Sequence, residues 1–171
     1  DIVRVSGTMS IWQSHLIRPF SFLFAWTGTL IPVCADDLAA EVVFSTHTDA
    51  NRFWYDRRVK LANGKRLQFV SYLEKRGGNQ VVEWTGIGVG WHSTFEFRND
   101  RVILSHLGYR FRIGSVDFAL PLLWVFGKPS AWEEAVSDTE FQMEMVIDHF
   151  VFGRIYSYSG HFRIKDISLA Q

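Results

Sequence analysis

The stretch RFWYDRRVKLANGKRLQFVSYL, residues 52–73, decides the fold that this sequence predicts. In its first half every second side chain falls on one face of an extended strand. That face carries Phe53, Tyr55, Arg57, Val59 and Leu61. Asn63-Gly64 then supplies a dipeptide that accepts positive φ at both central positions of a tight turn. Alternation resumes from Leu67, so the stretch predicts a β-hairpin.

The same period-two alternation continues along most of the chain. Asn99-Asp100 and Phe152-Gly153 mark two further hairpin turns, and an apolar connection at 121–126 separates the later strands. The predicted strands are 39–48, 52–61, 67–73, 80–85, 92–98, 101–107, 109–118, 140–149 and 154–165. Their connections are too short for parallel crossovers, so the pairing is predicted to be antiparallel.

We therefore expect a mainly β (α+β) fold with eight or nine antiparallel strands. A sheet of that size curls or closes, which removes its edges, and a barrel of about eight strands can hold one small ligand. A curved sheet and a closed, calycin-like barrel both fit the pattern. A helix-grip fold is the near competitor, but it needs a long C-terminal helix, and this chain ends in a strand pattern.

One apolar helix is predicted near the start, where 17 uncharged residues run from Pro19 to Ala35. Pro19 suits a first helical position and Gly28 suits a helix end, while an earlier helical piece from about Ile11 is a further option. The stretch is too short and too interrupted to span a bilayer. Burial in the core is the favoured interpretation, and peripheral contact with a membrane surface is the alternative.

Composition sets the remaining bounds. The chain has 171 residues, with 18 basic and 18 acidic side chains, so it predicts a single domain over 1–171 and no nucleic-acid partner. One cysteine excludes an internal disulfide and favours a cytoplasmic location. The chain begins with Asp1 rather than Met, so we expect its native start to be missing.

The sequence predicts neither a metal site nor a cofactor. Six histidines show no ligand spacing, and the single cysteine is isolated from them. The glycines of Gly86-Ile87-Gly88-Val89-Gly90 invite comparison with a phosphate-binding loop, but a strand pattern follows them instead of a helix. We read these glycines as a bulge or a sharp bend between strands.

Arg57 is the strongest candidate functional residue, because this permanently charged side chain shares a strand face with apolar side chains. Glu83 stands in an apolar strand, so an internal Arg57–Glu83 pair is one hypothesis and an anionic ligand headgroup for Arg57 is the other. If Trp54 faces inward instead, Arg57 is merely solvated. Further side chains that could line a ligand cavity are Ser71, Tyr109 and Tyr158.

These residues resemble a bacterial family of unknown function, the DUF4166 domain. The features that carry the resemblance are Gly7-Thr8-Met9, the apolar segment leading to Pro32, Tyr55-Asp56-Arg57, Phe69-Val70-Ser71, Glu83, Leu120-Pro121, Gly127, Phe152-Gly153 and Tyr158-Ser159-Gly160-His161-Phe162. The resemblance covers nearly the whole chain. It implies an accessory or binding role, with a reductase-like domain as the fused or associated partner, and assigns no activity.

Three functions are open at this point. The leading hypothesis is a noncatalytic binding module for a small hydrophobic or lipid-like molecule, oriented by inward polar groups such as Arg57. The second is an acid–base enzyme, of hydrolase or isomerase type, that uses Glu83 with His149 or Tyr158. The third is an interaction domain that docks through the apolar segment near the start.

Overall fold

A computed structural model describes residues 1–20, 30–46 and 51–168 of the chain. These residues form eleven β-strands, one single-turn helix and a short 3₁₀ turn at Arg18–Phe20. The elements are β1 (Ile2–Gln13), β2 (Ala35–Thr46), β3 (Arg52–Lys60), β4 (Arg66–Gly77), β5 (Gln80–Thr85), β6 (Val89–Arg98), β7 (Arg101–Ile113), β8 (Val116–Leu120), α1 (Leu123–Phe126), β9 (Lys128–Ala135), β10 (Glu140–His149) and β11 (Gly153–Ser168).

The strands close into an antiparallel barrel. Ten of them follow one another in the order β6-β5-β4-β3-β2-β1-β11-β10-β9-β7, and pairing of β6 with β7 completes the ring. The eleventh strand, β8, pairs with the second half of β7. Closure gives every strand of the ring two neighbours, so the unpaired edges of an open sheet are avoided.

The predicted mainly β, antiparallel architecture is confirmed, but the predicted count of eight or nine strands is too low. No strand was predicted before residue 39 or between residues 118 and 140, so β1 and β9 are additional; β9 has the sequence KPSAWEEA. Its inward positions carry Pro129, Ala131 and Glu133, which give no apolar alternation. Neighbouring strands impose the extended conformation on β9, because β7 and β10 pair with it from either side.

The predicted N-terminal helix is not supported by the described residues. An option that began near Ile11 is wrong, because Ile11 lies within β1 and is almost fully buried between β2 and β11. Around the predicted start at Pro19 the chain makes only the 3₁₀ turn. Residues 21–29, where most of that helix was expected, lie outside the described residues.

The three predicted hairpins are confirmed, with one correction to the turns. Asn99 and Asp100 both have positive φ, as a two-residue hairpin turn demands. At Asn63-Gly64 only the glycine has positive φ, and the amide of Gly64 donates to the carbonyl of Leu61. The longer turn from Leu61 to Lys65 therefore replaces the two-residue turn expected there.

Gly86 and Gly88 lie in the hairpin turn between β5 and β6, as the interpretation of a sharp bend predicted, and Gly90 lies at the start of β6. Gly88 has φ of +82° and donates its amide to the carbonyl of Thr85. Gly90 leaves room for a neighbouring ring, because a Cβ there would lie 2.7 Å from Trp84. Both glycines thus serve close packing of the backbone.

An ionic cluster on the outside of the barrel fastens β8 to its surroundings. Asp117, whose side chain is 8% exposed, accepts hydrogen bonds from Arg76 of β4 and from Arg110 and Arg112 of β7. Burial alone would raise the pKa of the Asp117 carboxyl, but these hydrogen bonds outweigh burial and hold it well below its usual range.

The core is a continuous apolar cluster inside the barrel. Its fully buried members include Val5, Ala40, Val42, Val59 and Phe162. The same cluster extends to Met145, Ile155 and Tyr156, which also form the wall of an internal cavity. Packing is therefore dense on one side of the interior and open on the other.

Candidate functional site: a cavity inside the barrel

A cavity of about 550 Å³ lies inside the barrel. Its wall is mainly apolar and includes Met9, Ile31, Phe69, Trp91, Met145 and Ile155. Ligand sites for small molecules commonly occupy 300–1,000 Å³ and combine such a wall with a few polar groups. The cavity is therefore large enough for one small organic molecule.

The polar groups of the wall are few. Among the described residues that line the cavity, Arg57 is the only permanent cation and Glu83 the only carboxylate. Their side chains are 15% and 17% exposed, so both reach the cavity surface without entering bulk solvent. The prediction that Arg57 faces inward is confirmed, and the alternative is wrong, because Trp54 packs against Tyr72 on the outer face.

Arg57 and Glu83 form the predicted internal pair. Arg57 Nη2 donates to Glu83 Oε1 over 3.0 Å, and Arg57 Nη1 donates to the Ser71 hydroxyl over 2.8 Å. Ser71 in turn donates to Glu83 Oε1 over 2.6 Å. The three residues lie on the inner faces of β3, β4 and β5, so adjacent strands assemble the triangle.

Two aromatic rings pack against the guanidinium of Arg57. Its Cζ atom lies 4.6 Å from the centre of the Tyr55 ring and 5.2 Å from that of Phe69. Burial is the largest single influence and opposes the charge of Arg57, but the charge of Glu83, its hydrogen bond and the nearby Tyr158 and Tyr55 together outweigh burial and raise the pKa of Arg57. The guanidinium is consequently charged and fixed in position.

Tyr158 lies close enough to Arg57 and Glu83 to interact with their charges, whereas the hydroxyl of Tyr109 is bonded elsewhere. Tyr158 lines the cavity, and burial raises its pKa to about 12, with Arg57 opposing the shift. Its hydroxyl makes no hydrogen bond to any described residue. Tyr109 also lines the cavity, but its hydroxyl donates to the carbonyl of Gly127 over 3.0 Å. Ser71, the fifth predicted residue, lies behind the wall and is 1% exposed.

A second carboxyl group near Arg57 was missed by the sequence analysis. Glu133 lies on the inward face of β9, opposite Met143 of β10. Burial raises the pKa of Glu133, while Arg57 lowers it and Glu83 raises it further. No described residue forms a hydrogen bond or ion pair with Glu133. The residue pattern of β9 does not indicate that Glu133 faces inward. Only the pairing of β9 with β7 and β10 shows this orientation.

His149 stands at the mouth of the cavity and links two of its loops. Its Nε2 atom lies 3.0 Å from the carbonyl of Trp124, and its Nδ1 atom accepts the amide of Val151 over 3.1 Å. A carbonyl can only accept, so Nε2 carries a proton and Nδ1 does not. Both ring nitrogens are therefore occupied by backbone partners.

The mouth is surrounded by exposed apolar side chains. Five of them also line the cavity, namely Leu16, Phe20, Ile87, Val125 and Phe152. Trp124 and Phe150 extend the same surface, are 68% and 63% exposed, and pack edge to face against each other. Large exposed apolar patches are uncommon on soluble domains and mark places where apolar molecules or partners are met.

Residues 1–20, 30–46 and 51–168 contain neither a candidate metal site nor a helix that could span a membrane. No three side chains among their His, Cys, Asp and Glu residues are grouped so that they could hold a metal ion. No helix there is long and apolar enough to cross a membrane.

The fold is similar to that of a solved protein structure. The crystal structure of Rv2717c from M. tuberculosis superposes with a TM-score of 0.55 at 13% sequence identity, covering 95% of this chain and 91% of that one. Identity this low shows a shared fold and nothing further. No curated protein matches the chain.

Two further structures, a designed β-barrel and an enzyme domain, are more weakly similar. A de novo designed fluorescence-activating β-barrel has a TM-score of 0.29 at 13% identity, covering 94% of this chain and 91% of that one. The dehydratase domain of the polyketide PpsC from Mycobacterium tuberculosis has a TM-score of 0.21 at 6% identity, covering 95% and 75%. Neither likeness is close enough to support an argument. The sequence profile of the domain of unknown function DUF4166 matches residues 1–162, and this chain belongs to that family.

Proposed function

We propose that this domain is a noncatalytic binding protein that holds one small, largely apolar molecule inside its barrel. The observation that carries the proposal is the cavity of about 550 Å³, with its apolar wall and its few inward polar groups. An apolar molecule gains about 0.8 kcal/mol for each methylene group that it buries. A cavity of this size therefore offers a favourable site without any catalytic group.

The apolar mouth supports the same proposal. Leu16, Phe20 and Phe152 are each more than half exposed and also line the cavity. An apolar molecule that enters between them exchanges water for hydrocarbon before it reaches the interior. These exposed side chains suit the entrance of a binding site for such a molecule.

Binding can be tested with 1-decanol as the probe, measured by isothermal titration calorimetry. Val89 lines the cavity from β6, so Val89→Trp fills part of the space with an indole ring. We expect saturable one-to-one binding to the wild type and a loss of at least tenfold in affinity for this variant. Absence of saturable binding to the wild type would overturn the proposal.

Val70→Trp is the matched control. Val70 lies on an outward position of β4 and is 41% exposed, so the same substitution there enlarges the surface and leaves the cavity unchanged. We expect wild-type affinity in this control. Equal losses in both variants would indicate a general effect of tryptophan on the strands and would count against binding in the cavity.

An acid–base enzyme has less support from the geometry. Glu83, Tyr158 and His149 line the same cavity, as that hypothesis requires. However, His149 has backbone partners at both nitrogens, and Glu83 Oε1 already accepts from Arg57 and Ser71. His149 therefore offers no free ring nitrogen for proton transfer in this arrangement, so of the two pairs considered only Glu83 with Tyr158 keeps groups open to the cavity. Cytoplasmic location, membrane contact and a reductase-like partner stay predictions from the sequence.

A further inference from the structure

The polar groups of the cavity limit the kind of molecule that it accepts, provided that the proposed binding function holds. Arg57 supplies one positive charge and Glu83 supplies one negative charge at 3.0 Å. No other charged side chain among the described residues lines the cavity. The wall is therefore electrically balanced before any molecule enters.

A carboxylate headgroup fits this arrangement poorly. It would approach the guanidinium of Arg57 from the cavity, next to the carboxylate of Glu83, which Arg57 already neutralises. Glu133 adds a second acidic group close enough to affect the ionisation of both Tyr55 and Tyr158. An anion would thus bring an uncompensated negative charge into an apolar interior, which is strongly unfavourable.

An uncharged hydroxyl or carbonyl group fits the same place well. The Tyr158 hydroxyl lines the cavity and makes no hydrogen bond to any described residue. A hydroxyl that faces the cavity without a protein partner can pair with a ligand oxygen placed there, so such a ligand gains a hydrogen bond on binding. Arg57, Glu83 and Ser71 already bond to one another, so the charge of Arg57 is compensated without a charged ligand.

We propose that the molecule held in the barrel is an uncharged amphiphile, with an apolar body and a hydroxyl or carbonyl group that pairs with Tyr158. Long-chain alcohols, ketones and esters belong to this class. Fatty acids do not, since at neutral pH they carry the carboxylate that the balanced wall disfavours. This assignment replaces the earlier hypothesis of an anionic headgroup bound to Arg57, because Glu83 already pairs with the guanidinium.

The test compares 1-decanol with decanoate at pH 8, by calorimetric titration into the whole chain. The two probes share chain length and differ in the charge of the headgroup. We expect 1-decanol to bind at least tenfold more tightly than decanoate. Equal or tighter binding of decanoate would overturn this inference and leave the binding function intact, whereas failure of both probes would overturn the binding function.

A charge variant tests the physical reason. Glu83→Gln removes the negative partner and leaves Arg57 with an uncompensated positive charge, so the preference for 1-decanol over decanoate should fall at least tenfold. The double variant Arg57→Met with Glu83→Gln has neither charge and should keep the preference for 1-decanol. The double variant also provides a test of the argument if the single variant Glu83→Gln folds poorly. An unchanged preference in a folded Glu83→Gln protein, or a preference for decanoate in the double variant, would contradict the balanced-wall argument.

Tyr158→Phe tests the hydrogen bond separately. This variant removes one oxygen atom and keeps the ring in the wall. We expect the affinity for 1-decanol to fall about tenfold while the affinity for decane, which has no oxygen, is unchanged. Equal changes for both probes would show that the hydroxyl of Tyr158 does not contact the ligand.

Discussion

Removing Arg57 alone should destabilise the protein more than removing it together with Glu83. Arg57→Met leaves the Glu83 carboxylate inside the barrel with Ser71 as its remaining hydrogen-bond donor. Glu83→Gln instead leaves the guanidinium without a negative partner. Breaking a buried ion pair from one side costs about 3–5 kcal/mol when both groups are fully enclosed.

The expected magnitude is somewhat smaller here because both side chains touch the cavity. At 15% and 17% exposure, each retains some access to water, so we expect about 2–4 kcal/mol for each single variant. The double variant replaces the pair by an apolar side chain and a neutral amide, and should lose only about 1–3 kcal/mol. At the midpoints of these ranges the interaction energy of the cycle is about 4 kcal/mol.

The assay is urea unfolding of the wild type, the two single variants and the double variant, followed by circular dichroism and tryptophan fluorescence. Matching transitions from the two probes would justify a two-state treatment. Free energies of unfolding for the single variants that add up in the double variant to within about 0.5 kcal/mol would refute direct contact between Arg57 and Glu83.

Two further predictions concern the dependence of stability on pH. Burial raises the pKa of Glu133, so the contribution of this group to stability is complete below the ordinary carboxyl range and is lost as pH rises through the raised pKa. The neutral variant Glu133→Gln does not lose stability in this way. In thermal unfolding it should therefore gain stability relative to the wild type as pH rises from about 4 to about 8. A constant difference across that range would contradict the burial of Glu133. Asp117 has a lowered pKa, so its contribution is present at neutral pH and lost on acidification; Asp117→Asn should cost about 2–4 kcal/mol at pH 7 by urea unfolding and progressively less toward pH 2. A cost that grows on acidification would contradict the ion cluster around Asp117.

The local pattern favoured the inward position of Arg57 and left open the alternative with Trp54 inward. Alternation places Arg57 between Tyr55 and Val59, and Val59 is fully buried in the barrel. Its partner Glu83 could be proposed because it is an acidic residue in an apolar strand. The geometry of the pair depends on two strand registers, and the hairpin turns at 61–65 and 78–79 set these registers.

Glu133 could not be found in the same way. Its strand contains Pro129, Ala131 and two successive acidic residues, so neither face is apolar in the sequence. Only closure of the barrel, which pairs this strand with β7 and β10, turns Glu133 toward Arg57. Information of this kind comes from non-local pairing and is absent from any short window of residues.

The roles of Tyr109 and His149 also depend on distant backbone. Alternation correctly predicted an inward Tyr109, but its hydroxyl is taken by the carbonyl of Gly127, at the end of α1. His149 was proposed as a base because it ends a strand beside an acidic residue. Its two partners are the carbonyl of Trp124 and the amide of Val151, whose positions are set by the loops at the mouth.

A crystal structure of the protein grown with 1-decanol is the most direct test of the binding cavity. We expect density for one alcohol molecule inside the barrel, with its oxygen within hydrogen-bond distance of the Tyr158 hydroxyl and its chain directed toward Phe20 and Phe152. An interior filled by protein side chains, or alcohol bound only on the outer surface, would contradict the claim that this fold encloses a binding cavity.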